Sequence, residues 1–342
     1  MDRKEKMSRR GFLAATAATT LGGSVTMTTT QMEIARVEVA DDTVKGQKSA
    51  LTVKVNGNFF LVYNYSPTLA AIYHPYFHPV MGPNDKPITQ NSEISGSLLG
   101  HVHHRGVFIG HQKVNGISFW EENEKCGRIV HLGWEQIPSG DEGLIVEQLA
   151  WRDTNGNEVL RETRTARIPD APIENRILDI AFRLRSAHGD AVLDATPYNL
   201  LACKVLNSMS LMKVKQEYAP PFGSLGNFSP MDQGGQIINS EGKVNDECRG
   251  ARARWCDFSG PLGDGTWGGV AILDHPGNLR HPTAWHNWNN MTIMASFTYH
   301  EPFTLREGQE LNLMYRVVVH AGDVKKADIE RQWKVFAKVE RL

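Results

Sequence analysis

Between residues 178 and 185 the chain alternates strictly. Leu178, Ile180, Phe182 and Leu184 share one side, and Asp179, Arg183 and Arg185 share the other. A period of two is what a strand with one buried face requires, and an amphipathic helix would need a period of 3.6. The pattern returns at residues 310–319, where Leu311, Leu313, Tyr315, Val317 and Val319 form the apolar side, with Arg316 and then His320 opposite. Asn56-Gly57 separates two strand-like runs, 51–55 and 58–63, which is the strongest short hairpin signal a sequence offers. Asn155-Gly156 likewise separates residues 144–152 from 159–168. Residues 105–111, 252–255 and 269–273 read as further strands, and the Gly-, Pro-, Asn- and Ser-rich stretch 213–250 reads as long loops over a sheet. Only the C-terminus has helical spacing, in Val324, Ala327, Ile329, Trp333, Phe336 and Ala337, with Gly322-Asp323 able to cap it. The expectation is an all-β fold, a large sandwich of two antiparallel sheets with a short C-terminal helix.

Length and charge narrow the function. The 342 residues, 41% of them hydrophobic, can bury a sizeable core, and the formal net charge of −1 gives no basic field for nucleic acid. Arg9 and Arg10 stand before a small apolar run, Gly11 to Ala18, in the manner of a twin-arginine export signal. Residues 1–30 are therefore expected to be that signal, with the twin-arginine translocase as partner, and residues 31–342 one domain in the periplasm or outside the cell. The apolar run is too short to span a membrane. Cys126, Cys203, Cys248 and Cys256 fit no C-x-x-C pattern. Buried free thiols are the default, and a Cys248–Cys256 bridge is the alternative that export would permit.

The histidines concentrate. His74, His78, His101, His103, His104, His111 and His131 lie in one stretch, and His275, His281 and His286 in a second. Imidazole is the side chain most readily used as acid, base or metal ligand near neutral pH. If residues 101–111 are a strand, His101 and His103 point the same way roughly 6.5–7 Å apart, as metal-binding H-x-H pairs do. A divalent metal ion, a metal-free polar site and purely structural histidines all remain open. His78 follows Tyr76 in a Pro-flanked aromatic segment suited to a sugar ring, and core packing fits it equally well. Asp274, His275, Arg280, His281, Trp285 and His286 follow a strand end, where acid–base groups and a stacking platform can meet on loops. Asp257 lies at another strand end and could complete a site or cap a turn. G-x-S-x-G, Walker, dinucleotide and H-E-x-x-H motifs do not occur.

Several segments, in order, resemble the bacterial family called methane oxygenase PmoA-like. They are Pro75-Tyr76-Phe77-His78-Pro79, His103-His104-Arg105-Gly106, Asn115-Gly116 with Phe119-Trp120, Gly127 to His131, Arg254 to Asp257, Asp274 to Pro282, and Tyr315-Arg316-Val317-Val318 with His320. This chain departs from the family's pattern at Gly100 and Val102, where Asp and Pro are usual. The resemblance implies an exported β-sandwich, similar to the supersandwich of galactose mutarotases and to carbohydrate-handling proteins. The expected function is an enzyme acting on a sugar or glycoside as a lyase, hydrolase or epimerase. A metal-dependent oxygenase and a non-catalytic carbohydrate-binding protein are the alternatives. Candidate catalytic residues are His78, His103, His104, Arg105, Asp274, His275 and His281. Tyr76, Trp120, Arg280, Trp285, His286 and Arg316 are candidates for substrate binding, and His101 with His103 for a metal.

Overall fold

In the computed structural model the alternating runs become strands. The structure describes residues 36–44, 47–65, 73–91, 103–211, 234–288 and 291–342. In chain order the strands are β1 Val37–Val44, β2 Gln47–Val55, β3 Asn58–Asn64, β4 Tyr76–Val80, β5 Val107–His111, β6 Arg128–Gln136, β7 Glu142–Arg152, β8 Glu158–Pro169 and β9 Asn175–Ser186. There follow β10 Ala191–Leu193, β11 Asn199–Lys204, β12 Gln236–Asn239, β13 Trp255–Pro261, β14 Trp267–Asp274, β15 Trp285–Trp288, β16 Thr292–Ala295, β17 Phe303–Leu305 and β18 Glu310–Ala321. Among the described residues one α-helix, α1, spans Ile329–Phe336.

The strands form two eight-stranded sheets. The first has the order β1-β2-β3-β4-β5-β11-β16-β15, the second β12-β13-β14-β18-β9-β8-β7-β6, and β10 pairs with β17 apart from both. The named pairings are antiparallel, as in β8–β9 and β9–β18. The two sheets bury their apolar sides against each other. Val53, Leu61, Phe77, Ile109, Leu201 and Ile293 of the first share a core with Leu149, Ile180, Phe182, Ile272, Leu313 and Val317 of the second. Asn56 and Gly57 both take positive φ, +52° and +75°, the left-handed pair that a two-residue hairpin with correct twist needs. The alternation of the sequence thus reports the sandwich interior directly.

Polar groups also enter that interior. Arg164 of β8 grips Glu162 through Nε and Nη2, at 2.7 and 3.0 Å, and Trp151 Nε1 donates to the same carboxylate at 2.7 Å. Tyr63, from the opposite sheet, donates to Glu147 and accepts from Arg164 Nη1 at 3.1 Å. His131 Nδ1 meets the other Glu147 oxygen at 2.6 Å. Burial raises the carboxyl pKa of Glu147 above its ordinary value, against the opposing pull of His131, Arg164 and Tyr63.

Three expectations are corrected here. The helix is shorter than its periodicity suggests. Asp323 caps a first turn through the amides of Lys325 and Lys326, but Asp328, at φ +49°, breaks the path and caps a fresh start through Arg331 N. The strand read at 252–255 begins only at Trp255 and runs on to Pro261. Part of the stretch read as loops is β12, a four-residue strand too short to show a period, while residues 213–233 of it lie outside the described residues. The four cysteines are free and buried.

Replacing Arg164 with Met strips the buried Glu162 of its counter-charge, and the expected loss of unfolding free energy is about 3–5 kcal/mol. Urea denaturation measures it, and a loss below about 1 kcal/mol would mean the network is unimportant to the fold.

Candidate functional site

The outer side of the first sheet, away from the core, carries an aromatic cluster of its own. Tyr76 of β4, Phe108 of β5, Ala202 of β11 and Met294 of β16 pack together with Trp120, and Tyr198 lies against them. Register explains the grouping: Tyr76 is opposite Phe108, Phe108 opposite Ala202, and Ala202 opposite Met294, so all four point the same way.

Titratable groups gather on this patch. His74 and His104 both stack on Phe108, with ring centres 5.1 and 5.7 Å away. His103 meets His104 edge-on at 4.5 Å, and Trp120 lies edge-on to His104 at 5.9 Å. His286 of β15 is opposite Met294 and edge-on to Tyr198 at 5.1 Å. Lys204, two residues beyond Ala202, is opposite Thr292, whose hydroxyl lies 3.3 Å from His104 Nδ1. Beside them Arg105 forms a two-point pair with Glu122, Nε to Oε1 at 2.7 Å and Nη2 to Oε2 at 2.6 Å, and His74 Nε2 is 3.6 Å from that carboxylate. The segment approaches β4 so closely that a Cβ on Gly106 would fall 2.3 Å from the Phe77 carbonyl oxygen. Only glycine fits, and its φ is +62°.

Burial sets the protonation states. It lowers His74 to about 3, with the charge of Arg105 as the next cause, and His286 to about 4, with Arg249 as the next. It lowers His78 to about 4 and the Lys204 ammonium to about 8. The patch therefore combines neutral imidazoles with an amine close to balance near neutral pH, the condition for general acid–base work.

The second histidine stretch lies elsewhere. Asp274, at the end of β14, accepts from Asn278 Nδ2 and Thr283 N at 2.8 Å and pairs with His281 Nδ1 at 2.7 Å. The His281 ring stacks on Trp333 of α1, His275 Nε2 contacts Val339 O at 3.1 Å, and Trp333 Nε1 donates to Asp274 O. These contacts anchor α1, which covers the outer side of the second sheet through Ile329 and Phe336. Arg280 is clasped by the carbonyls of Phe297, Glu301 and Pro302. Arg316 pairs with Asp179, and Trp285 is buried between the sheets with Nε1 donating to Ala253 O.

The structure therefore brings Tyr76, His103, His104, Arg105, Trp120 and His286 to one face. It does not bring Asp274, His275, Arg280, His281, Trp285 or Arg316 to them. His78 turns to Thr89 Oγ1 at 3.0 Å, beside the patch. His111 points into the sandwich and meets Thr298 Oγ1 at 3.0 Å, and Asp257 pairs with His320 on the second sheet. His101 lies outside the described residues, and among those no group of three or more His, Cys, Asp or Glu is arranged to hold a metal. His103 precedes β5 in a turn, so strand geometry does not govern it. Sequence reasoning missed Glu122, Thr292 and Lys204. Lys204 could have been found as the one charge ending the apolar run 200–204.

A model described as a family of unknown function, DUF6807, matches residues 50–334, most of the chain and the whole of this face. The chain belongs to that family. No curated protein matches this DUF6807 member in sequence. Among solved structures it is similar to a protein assigned as a kojibiose phosphorylase from human microbiome, at 10% identity and TM-score 0.31, covering 58% of this chain and 21% of that one. It is also similar to the heparan sulfate lyase HepC of Pedobacter heparinus, at 6% identity and TM-score 0.29, covering 81% and 30%. A heparinase III gives 12% identity, TM-score 0.31, and coverage of 84% and 34%. The chain spans at most about a third of the length of these three.

The lowered histidines make the fold acid-sensitive. Free imidazole titrates near 6.5, and His74, His111 and His286 titrate at about 3, 3 and 4 in the fold. As pH falls below 6.5 the unfolded chain takes up protons that the folded chain refuses. Stability present above 6.5 is thus lost on the way to the folded values, on the order of 2 kcal/mol per histidine between pH 7 and pH 5. Melting temperature should fall steeply over that range, and a flat profile from pH 7 to 5 would count against these histidines being neutral.

Proposed function

We propose that the chain is a carbohydrate-active enzyme that works by proton transfer on the outer face of the first sheet. The observation that carries the reading is Lys204. It is a buried amine with its pKa brought down to about 8 by burial, on the outward-facing side of β11 with Ala202 of the aromatic patch and opposite Thr292, whose hydroxyl meets His104. In this reading Lys204 exchanges the proton, and His104, held by Thr292, orients a hydroxyl. Tyr198 and His103, the less buried members, receive the sugar, whose C–H face packs on aromatic rings. Arg105 and Glu122 satisfy each other, so their part is to fix the position of His74 and Tyr76. The cation lies 5.6 Å from the Tyr76 ring centre.

The test is a panel of mono- and oligosaccharides incubated with the protein in heavy water and followed by NMR for exchange or a new product. A sugar that reacts should lose at least about 100-fold in rate with Lys204→Met and with His104→Gln, the usual scale for a proton-transfer group. Undiminished turnover in Lys204→Met, at wild-type stability, would sink the assignment. The Asp274–His281 pair gives the complementary expectation. His281→Gln should lower the melting temperature by loosening α1, by about 1–3 kcal/mol of stability, yet leave turnover within about twofold.

A further inference from the structure

Alternation along β9 places Arg176 on the same side as Leu178, Ile180 and Phe182, the side that faces the first sheet. A cation at such a position is unusual, and Arg176 is only 2% exposed. One face of its guanidinium is covered by Phe60, with Cζ 5.2 Å from the ring centre. Its Nε and Nη1 are both enclosed and donate to nothing among the described residues. Asp85 and Glu174 exert an opposite-charge pull on it but form no ion pair with it among those residues.

The other buried arginines are all matched. Arg105 has Glu122, Arg164 has Glu162, and Arg316 has Asp179. A guanidinium does not shed its proton at any ordinary pH, so Arg176 cannot relieve burial by becoming neutral. A buried charge without a partner is strongly destabilising, and an aromatic face offsets only a small part of that. The planar fork carries its open donors on two edges, Nε on one and Nη1 on the other, so a small oxyanion would meet an open donor at either edge and supply the opposite charge.

We propose that Arg176 anchors an anion site at this edge of the sandwich, taking a small oxyanion: a sulfate or phosphate, or the carboxylate of an acidic sugar. The site is separate from the face that bears Lys204, since Arg176 points between the sheets and Lys204 points away from them.

The full chain is melted at constant ionic strength in sodium chloride with rising sulfate, phosphate or glucuronate, and with glucose as the uncharged control. The expected result is a saturable rise in melting temperature with an oxyanion and none with glucose. Arg176→Lys keeps the charge without the fork and should weaken the apparent affinity by about tenfold, and Arg176→Met should abolish it. A stronger response to glucuronate than to the inorganic ions assigns the site to acidic sugars, and the reverse assigns it to free anions. Should both variants fail to fold, crystals of the natural chain soaked in selenate must show an anomalous peak within hydrogen-bond reach of Arg176. The proposal is overturned if no anion gives a saturable shift, if the shift survives in the variants, or if water alone meets the guanidinium in those crystals.

Discussion

One carboxylate ties together parts of the molecule that the strand pattern alone would leave independent. Asp274 ends β14 of the second sheet and collects Asn278, His281 and Thr283 from the link that follows. Its own carbonyl is held by Trp333 of α1. The link then becomes β15 of the first sheet, which carries His286 onto the candidate face. The position of His286 beside Tyr198 thus depends on a junction built on the other sheet. A buried carboxylate surrounded by donors is costly to form and rigid once formed, which suits a joint between two layers.

The fold was largely legible because a period of two is both the signature of a half-buried strand and the rule that assigns its sides. Leu178, Ile180, Phe182 and Leu184 face the core as their spacing demands. The hairpin at Asn56-Gly57 was legible because few residues take two successive positive φ angles. Short strands such as β12 and β16, four residues each, hold too few side chains for a period to emerge.

The candidate site was legible only in part. Proximity along the chain suggested that the two histidine stretches share a centre, yet side is decided by parity and by which sheet a strand joins. Trp285 and His286 are neighbours in sequence, and one packs between the sheets while the other faces outward. His281 and His104 look alike as residues and differ in role, one stacked on the C-terminal helix and one on the outer patch. Glu122 escaped notice because a single glutamate carries no pattern, and the one charge ending the run 200–204 does not by itself say which side of a sheet Lys204 takes. Their meaning comes from the strands that bury them.

The strand that carries Lys204 has a consequence of its own. β11 is an inner member of its sheet, flanked by β5 and β16, and the Lys204 backbone is bonded in both directions, its amide to Gly106 O and its carbonyl to Gln90 N. Such a residue has no slack: its amine can pivot about side-chain bonds, but its Cα is clamped like a tooth in a jaw. Substitutions around it can change what the amine meets, while the point from which the amine reaches stays where the sheet put it.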